Sequence, residues 1–372
     1  MGIFGIVYMV LAFLVSCVFA SVVIPNILVV SFKKKLFDLP DARKVHTTVV
    51  PRLGGVAFMP IIVFAVSFVL GASLLDLVSA PIGILVGNQA IFVFGLCSLI
   101  LLYLVGMKDD LVGVSYSTKF MVQVICGSLI AISGLRVDDL FGFLFLADLY
   151  PIFASAVTIF LVVFIVNALN LIDGIDGLAS GLSIIALLYY GVCFAMVGRW
   201  MYAIMAFASM GVLVPFFYYN VFGSAEHCRK IFMGDTGALT IGFVLAFLSI
   251  RMLSLDNVFG GNPLFVAFAP LIVPCFDVVR VALYRMSHGN HPFKPDRNHL
   301  HHKFLDAGVS HYLSLISILV VSVIFTLSVV WSSKYLDVNV VAILLVASWM
   351  AFNYGLKKFK DARLKKSPAP KK

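Results

Sequence analysis

Four short polar segments interrupt an otherwise apolar chain, and their residue types suit phosphate and metal chemistry. They are Asp109-Asp110; Asn167-Ala168-Leu169-Asn170-Leu171-Ile172-Asp173-Gly174-Ile175-Asp176-Gly177; Met233-Gly234-Asp235-Thr236-Gly237; and Asp296-Arg297-Asn298-His299-Leu300-His301-His302. Carboxylates next to membrane-depth segments are costly to insert and mark functional sites by default. Asn167, Asn170, Asp173 and Asp176 recur every three residues. If a helix persists, that spacing puts an amide–carboxylate stripe on one face. Gly174 and Gly177 point instead to a broken helix end, where backbone can approach a ligand closely. Either arrangement converges hard oxygen donors of the kind Mg²⁺ takes.

Adjacent helical residues point about 100° apart, so Asp109 and Asp110 cannot both face one atom. One can reach a metal or a reacting phosphate while the other holds a neighbouring loop. Alone, the pair also reads as a solvated acidic loop. Met233–Gly237 opens an apolar run, and a helix N-terminus there offers N–H groups and a positive dipole end to a phosphate; Asp235 could equally cap that helix. In the fourth segment Arg297 suits bidentate phosphate binding, and His299, His301 and His302 can donate to phosphate or sugar oxygens. Zinc is disfavoured there, because Cys or Glu ligands at metal spacing are missing. A further segment, Asp38 to Gly55, carries Arg43, Lys44, His46 and Arg52 with a Gly pair. Asp277 and Arg280, three apart within an apolar run, read as a structural pair.

The elements that must position these groups follow from composition. Of 372 residues, 62% are hydrophobic and 12% charged, with mean hydropathy +1.06; soluble domains carry about a quarter charged residues. Such a chain is an all-α, polytopic membrane protein, because backbone groups in hydrocarbon must be satisfied internally. Apolar runs of about 17–25 residues give about eleven transmembrane helices: 3–31, 55–75, 89–107, 120–135, 153–170, 181–197, 201–220, 237–255, 263–284, 312–332 and 338–356. The fourth is short. Residues 1–356 read as a single membrane domain and 357–372 as a basic tail. The positive-inside rule puts the N-terminus outside and the C-terminus in the cytoplasm. In that orientation 22 of the 27 Lys and Arg are cytoplasmic; Arg136, Arg199, Arg251 and Lys334 lie outside and Arg280 within a span. All the polar segments then share the cytoplasmic face. The net charge of +9 is explained by this topology, and the basic runs are free to meet anionic lipid headgroups. Nucleic acid is a poor partner, since no basic soluble domain exists to bind it. The six cysteines imply no disulfide or zinc framework.

The segments DLPDARKVHTTVVPRLGG (38–55), DDL (109–111), NALNLIDGIDGLASG (167–181), MGDTG (233–237) and PDRNHLHHKF (295–304) resemble, in order, those of the polyprenyl-phosphate N-acetylhexosamine-1-phosphate transferases of glycosyltransferase family 4. The histidine segment is similar to the branch that uses UDP-GlcNAc. The resemblance implies a multi-pass enzyme of the bacterial inner membrane with its active site on the cytoplasmic face. It would start a cell-envelope glycan by converting UDP-GlcNAc and undecaprenyl phosphate to undecaprenyl-diphosphate-GlcNAc and UMP. It further implies Mg²⁺, with Mn²⁺ as a substitute, and allows a homodimer. By the same resemblance Asp235 and Asn170 would hold the metal, and Asp109 or Asp110 would position the lipid phosphate. Asp173 and Asp176 would shape the nucleotide pocket, with Asn167 beside them. Lys119, Arg297, His299, His301 and His302 would hold pyrophosphate and sugar, and Lys44 and His46 would lie near the lipid phosphate.

Other readings are another UDP-N-acetylhexosamine as donor, a CDP-alcohol phosphatidyltransferase and a secondary transporter. Asp173 to Gly177 fits the phosphatidyltransferase core, but the Ala-Arg that should follow is replaced by Leu178-Ala179-Ser180. A transporter predicts an internal repeat, and none is visible.

Overall fold

The computed structural model describes residues 2–34, 36, 50–75, 89–255, 260–291 and 298–366. Lys44, His46 and Arg297 lie outside the described residues. Thirteen α-helices form among those described: α1 (Gly2–Lys34), α2 (Phe58–Leu74), α3 (Gln89–Val112), α4 (Tyr116–Ile132), α5 (Pro151–Ile172), α6 (Leu178–Met196), α7 (Trp200–Val221), α8 (Gly234–Leu253), α9 (Pro263–Phe268), α10 (Ile272–Ser287), α11 (Leu300–Asp306), α12 (His311–Ser332) and α13 (Val338–Lys366). The fold is all-α and polytopic, as hydropathy requires. Among the described residues ten helical segments, not eleven, are long and apolar enough to cross a membrane. The fourth expected span, α4, has 17 residues, about 25 Å of helix against the ~30 Å of a hydrocarbon core. The expected span over 263–284 is one membrane-length segment built from α9, a 3₁₀ turn at Ala269–Leu271 and α10. Pro270 and Pro274 each remove an amide donor there, which accounts for the break.

Local chemistry sets the helix ends. Ser115 caps α4 through Thr118 N, Asn262 caps α9 through Leu264 N, and Ser310 caps α12 through Leu313 N. Pro151 opens α5 at a position where a missing N–H costs nothing. α8 is the axis of the molecule: every residue from Thr236 to Leu253 is buried. α3 and α5 flank it, α4 closes the gap between them, α7 packs on α1 and α6, and α2 packs on α1 and α7. Large apolar side chains on the outer faces of α1, α12 and α13, such as Val18, Ile324, Leu327 and Ile343, are exposed, as a surface meeting lipid requires.

Because the long helices alternate in direction, the start of α2, the end of α3, the start of α4, the end of α5, the start of α6, the end of α7 and the start of α8 meet at one end of the bundle. The polar segments are joined there by direct contacts. A Cβ on Gly55 would fall inside the Gly237 backbone, and one on Gly106 would lie 2.6 Å from Thr236 Cα. Glycine is thus the residue that lets the 51–55 segment and α3 close on α8. Backbone bonds seal the first contact: Gly54 N to Phe232 O (3.0 Å), Gly55 N to Met233 O (2.9 Å) and Phe232 N to Pro51 O (2.9 Å).

Candidate active site

Asp109 and Asp110 sit on the last turns of α3, not in a loop. Their side chains part as adjacent helical residues must. Asp110 accepts from Asp235 N (2.8 Å), Thr236 N (2.9 Å) and Thr236 Oγ1 (2.5 Å). It therefore caps the first turn of α8 from another helix, and α8 has no side-chain cap of its own. Two corrections follow. Asp235 does not cap its helix, and two of the amides expected to meet a phosphate are already engaged by a carboxylate. A full negative charge on a helix N-terminus is favourable, so the arrangement fixes the start of α8 firmly.

Asp109 turns the other way. It accepts from Val114 N (2.6 Å) and from Lys119 Nζ (2.9 Å). The same ammonium lies 3.4 Å from Asp235 Oδ1, and Asn170 Nδ2 donates to that oxygen at 2.8 Å. Four helices thus deliver Asp109, Lys119, Asn170 and Asp235 to one half-buried cluster. Lys119, expected on a pyrophosphate, is an ammonium shared between two carboxylates. Asn167 turns away from the cluster: its amide donates to Gln123 Oε1 (2.6 Å) and Val163 O (2.7 Å). It ties α5 to α4.

The three-residue stripe does not continue as a helix. α5 ends at Ile172, with Asp173 at its C-cap, which agrees with the broken-helix reading of the glycines. Gly177 has φ +80°, a left-handed conformation that glycine adopts without strain, and it reverses the chain into α6. Its N–H donates to Asn220 Oδ1 (2.6 Å), while Asn220 Nδ2 donates to Ile231 O (2.8 Å). Asp176 pairs with Lys230 Nζ at 2.5 Å. Asp173 opens to solvent on one side but is otherwise walled by protein. Desolvation first, then the charges of Asp176, Asp235 and Asp110, push its carboxyl up to about 7, with Arg52 opposing. Water or a cation entering from the open side relieves that penalty.

The histidine segment divides as well. His299 Nδ1 lies 3.0 Å from Asp277 Oδ2, and the Asp277 oxygens also accept from Leu300 N (both 3.1 Å) and Arg280 (2.7 Å). The Asp277–Arg280 pair is structural, and it holds the start of α11. His301 is 1% exposed and lies against Gly174, where a Cβ would collide with its ring. Burial first, then His302 and His299, push the imidazole down to about 3, so it is neutral. Neither of its ring nitrogens has a hydrogen-bond partner among the described residues. Buried polar atoms are normally satisfied, so the imidazole carries an unmet hydrogen-bonding demand beside the Asp173–Gly174 loop. The His302 ring lies tilted against that of His301, with ring centroids 4.2 Å apart.

No group of three or more His, Cys, Asp or Glu side chains poised to hold a metal ion is present among the described residues. The donor set at Asp235 nevertheless suits a hard divalent cation: carboxylates of Asp109 and Asp235 share one ammonium, Asn170, whose Nδ2 donates to Asp235, would offer its Oδ1 once the amide turned, and acidic residues nearby raise Asp173. Lys119 already brings a positive charge between two of these carboxylates. Oxygen ligands and negative charge are what Mg²⁺ selects.

Sequence reasoning gave no role to Thr236, which stands inside a candidate segment, and missed Gln123, Asn220 and Lys230. Gln123 and Asn220 are buried polar residues inside apolar helices, a signal readable before any fold is known. Thr236 and Lys230 carried no such mark, since a threonine after an aspartate and a loop lysine are ordinary.

The pattern of glycosyl transferase family 4 matches residues 91–253, which span α3 to α8. A protein of Bacillus subtilis (strain 168) named "Probable undecaprenyl-phosphate N-acetylglucosaminyl 1-phosphate transferase" is 32% identical over 326 residues, 86% of this chain and 84% of its own. The "Decaprenyl-phosphate N-acetylglucosaminephosphotransferase" of Mycobacterium tuberculosis (strain ATCC 25618 / H37Rv) is 31% identical over 73% of this chain and 69% of its own. The "Undecaprenyl-phosphate alpha-N-acetylglucosaminyl 1-phosphate transferase" of Escherichia coli (strain K12) is 26% identical over 88% and 86%.

Proposed function

This chain belongs to glycosyl transferase family 4, and from that premise we propose that it transfers GlcNAc-1-phosphate from UDP-GlcNAc to undecaprenyl phosphate, giving undecaprenyl-diphosphate-GlcNAc and UMP. The observation that carries the reading is the cluster of Asp109, Lys119, Asn170 and Asp235, brought from four helices to one end of the bundle. The reaction needs such a site, because several phosphate charges must be brought together at a membrane interface. The names of the relatives support GlcNAc as the sugar and a polyprenyl phosphate as the acceptor. The Lys and Arg distribution supports a cytoplasmic site in a bacterial inner membrane, where a nucleotide sugar from the cytosol meets a lipid that stays in the bilayer.

In this mechanism an oxygen of the lipid phosphate attacks the sugar-bearing phosphorus, and the bond to the UMP oxygen breaks. The lipid phosphate is already anionic near neutral pH, so no base is obligatory, and we favour a single displacement. Lys119 offers its ammonium to the incoming or leaving phosphate, with Asp109 and Asp235 holding it in place. A bound Mg²⁺ would be held by Asp235 and Asn170, with Mn²⁺ as a substitute, and would neutralise pyrophosphate charge and orient the in-line displacement. Asp110 fixes the backbone that carries Asp235. Asp173 and Asp176 border the nucleotide, and His301 backs Gly174 with ring nitrogens that no described residue satisfies.

The test is UMP release by purified enzyme given UDP-GlcNAc, undecaprenyl phosphate and Mg²⁺, with Asp235→Ala as control. Release that needs lipid and metal and disappears in the variant is expected. Release only with another UDP-N-acetylhexosamine would change the sugar and keep the reaction. Silence with every UDP-sugar in a folded preparation would overturn the reading, and trapping of an enzyme–phosphosugar adduct without acceptor would overturn the single displacement.

A further inference from the structure

α11 has seven residues, too few to be stable as a free helix, yet it places His301 against the Asp173–Gly174 loop. Its start is held by Asp277 of α10. Its other end is held by α13. That helix has 29 residues, about 43 Å, whereas about 20 residues cross the hydrocarbon. Its last turns therefore stand beyond the bilayer, and these carry Lys357, Lys358, Lys360 and Arg363.

The charge run looks like a plain topology signal, but three of α13's side chains meet α11. Asn353 Oδ1 accepts from Lys303 Nζ (2.9 Å), and Lys360 Nζ pairs with Asp306 Oδ2 (2.9 Å). Arg363 donates to Ala307 O (3.2 Å) and Gly308 O (2.9 Å). Positions 353, 360 and 363 are seven and three apart, so they share one face of α13. The three contacts run along α11 and past its end, finishing on carbonyls just beyond its last turn, where a cation is favoured. Gly308 turns the chain away there with φ +72°.

We propose that Lys360 and Arg363, with Asn353, are positioning residues of the nucleotide-sugar site: they clamp the C-terminal end of α11 so that His301 stays against the Asp173–Gly174 loop. The assignment rests on the transferase reading above for its substrate and on the contacts alone for its geometry. Surface ion pairs are individually modest, so each single change should act weakly and the combination more strongly.

The test is a charge swap in the full-length enzyme. Lys360→Asp and Asp306→Lys should each raise KM for UDP-GlcNAc by about 3-fold, and Lys360→Asp combined with Arg363→Gln by about 10-fold. KM for undecaprenyl phosphate should stay within about twofold. The double swap, Lys360→Asp with Asp306→Lys, should restore the nucleotide-sugar KM, and Arg363→Lys should be milder than Arg363→Gln. A second readout needs no substrate: amide hydrogen exchange of residues 300–308 should quicken by about 10-fold in Arg363→Gln while α8 is unchanged. Unaltered KM in the single variants, failure of the swap, a joint change of both KM values with lost thermal stability, or unchanged exchange would each overturn the assignment. If the wild type releases no UMP from any UDP-sugar but exchange responds as stated, the clamp stands and the substrate reading fails.

Discussion

The contact between Asp110 and the start of α8 separates a residue that touches substrate from one that acts through the backbone. Asp110→Asn keeps the side chain's shape but turns one acceptor into a donor facing N–H groups. It loses a charge-assisted bond, each worth about 1.5–3 kcal/mol, and the favourable charge at a helix N-terminus, about 1 kcal/mol. The sum is about 3 kcal/mol, or about 6 °C in Tm at roughly 2 °C per kcal/mol for a large chain. Because Asp110 holds Asp235 N directly at 2.8 Å, the Asp235 carboxylate should move with the backbone, and a displacement near 1 Å lowers rate about 100-fold. Thr236→Val removes only the Oγ1 bond to Asp110 at 2.5 Å. It should destabilise by about 1–2 kcal/mol and lower kcat by about 10-fold. The assay is UMP release in parallel with thermal unfolding in the same detergent. A positioning role requires both variants to lose Tm and kcat in the same order. If Asp110→Asn is inactive at unchanged Tm while Thr236→Val is fully active, Asp110 touches the reacting groups and the reasoning is wrong.

Two further outcomes test the packing and the acidic cleft. Gly55→Ala should abolish folding or activity, because its Cβ would overlap the Gly237 backbone; a well-folded, active Gly55→Ala enzyme would show that the 51–55 segment is not held against α8 as described. Asp173 is the pH-sensitive case: its folded-state carboxyl lies at about 7, above the ~3.9 of an unfolded chain. Its contribution to stability is therefore present below about pH 4 and is lost as pH rises through 7, where the charge is forced into an acidic cleft. In a sealed site this would reach about 4 kcal/mol, and solvent on its open side reduces it to about 1 kcal/mol. Asp173→Asn should raise Tm at pH 8 without divalent cation, leave it unchanged at pH 4 and lower activity. A Tm gain equal at both pH values, or none at pH 8, would refute the shift.

Much of the membrane architecture was legible in the chain, since a span is a local property: length and hydropathy of one run decide it. The runs at 55–75, 201–220 and 312–332 lie within a few residues of the observed helices. α3 ran past its apolar stretch to Val112, because Asp109 and Asp110 find partners on other helices that let the helix continue through them. The run at 120–135 has the hydropathy of a span, but α4 is short.

At the candidate site, residue types and the ends of apolar runs single out Asp109, Asp110, Asn170, Asp173, Asp176 and Asp235 as candidates, because carboxylates and amides beside hydrocarbon need a reason. Roles were another matter. That Asp110 holds α8 while Asp109 holds Lys119 depends on side-chain directions one helical step apart and on a partner 125 residues away. Asp173 and Asp176 share a spacing but face different surroundings, because the chain leaves the helix between them. The last turns of α13 are a plain charge run in the sequence, and their contacts with α11 and the residues after it exist only in the tertiary structure. Sequence alone determined that this is a multi-pass protein with carboxylates gathered at helix ends, since hydrophobicity and charge are properties of each residue in its own segment. Only the tertiary structure decided which oxygen meets which amide, because hydrogen bonds and close glycine contacts depend on the distances between elements that the chain keeps far apart.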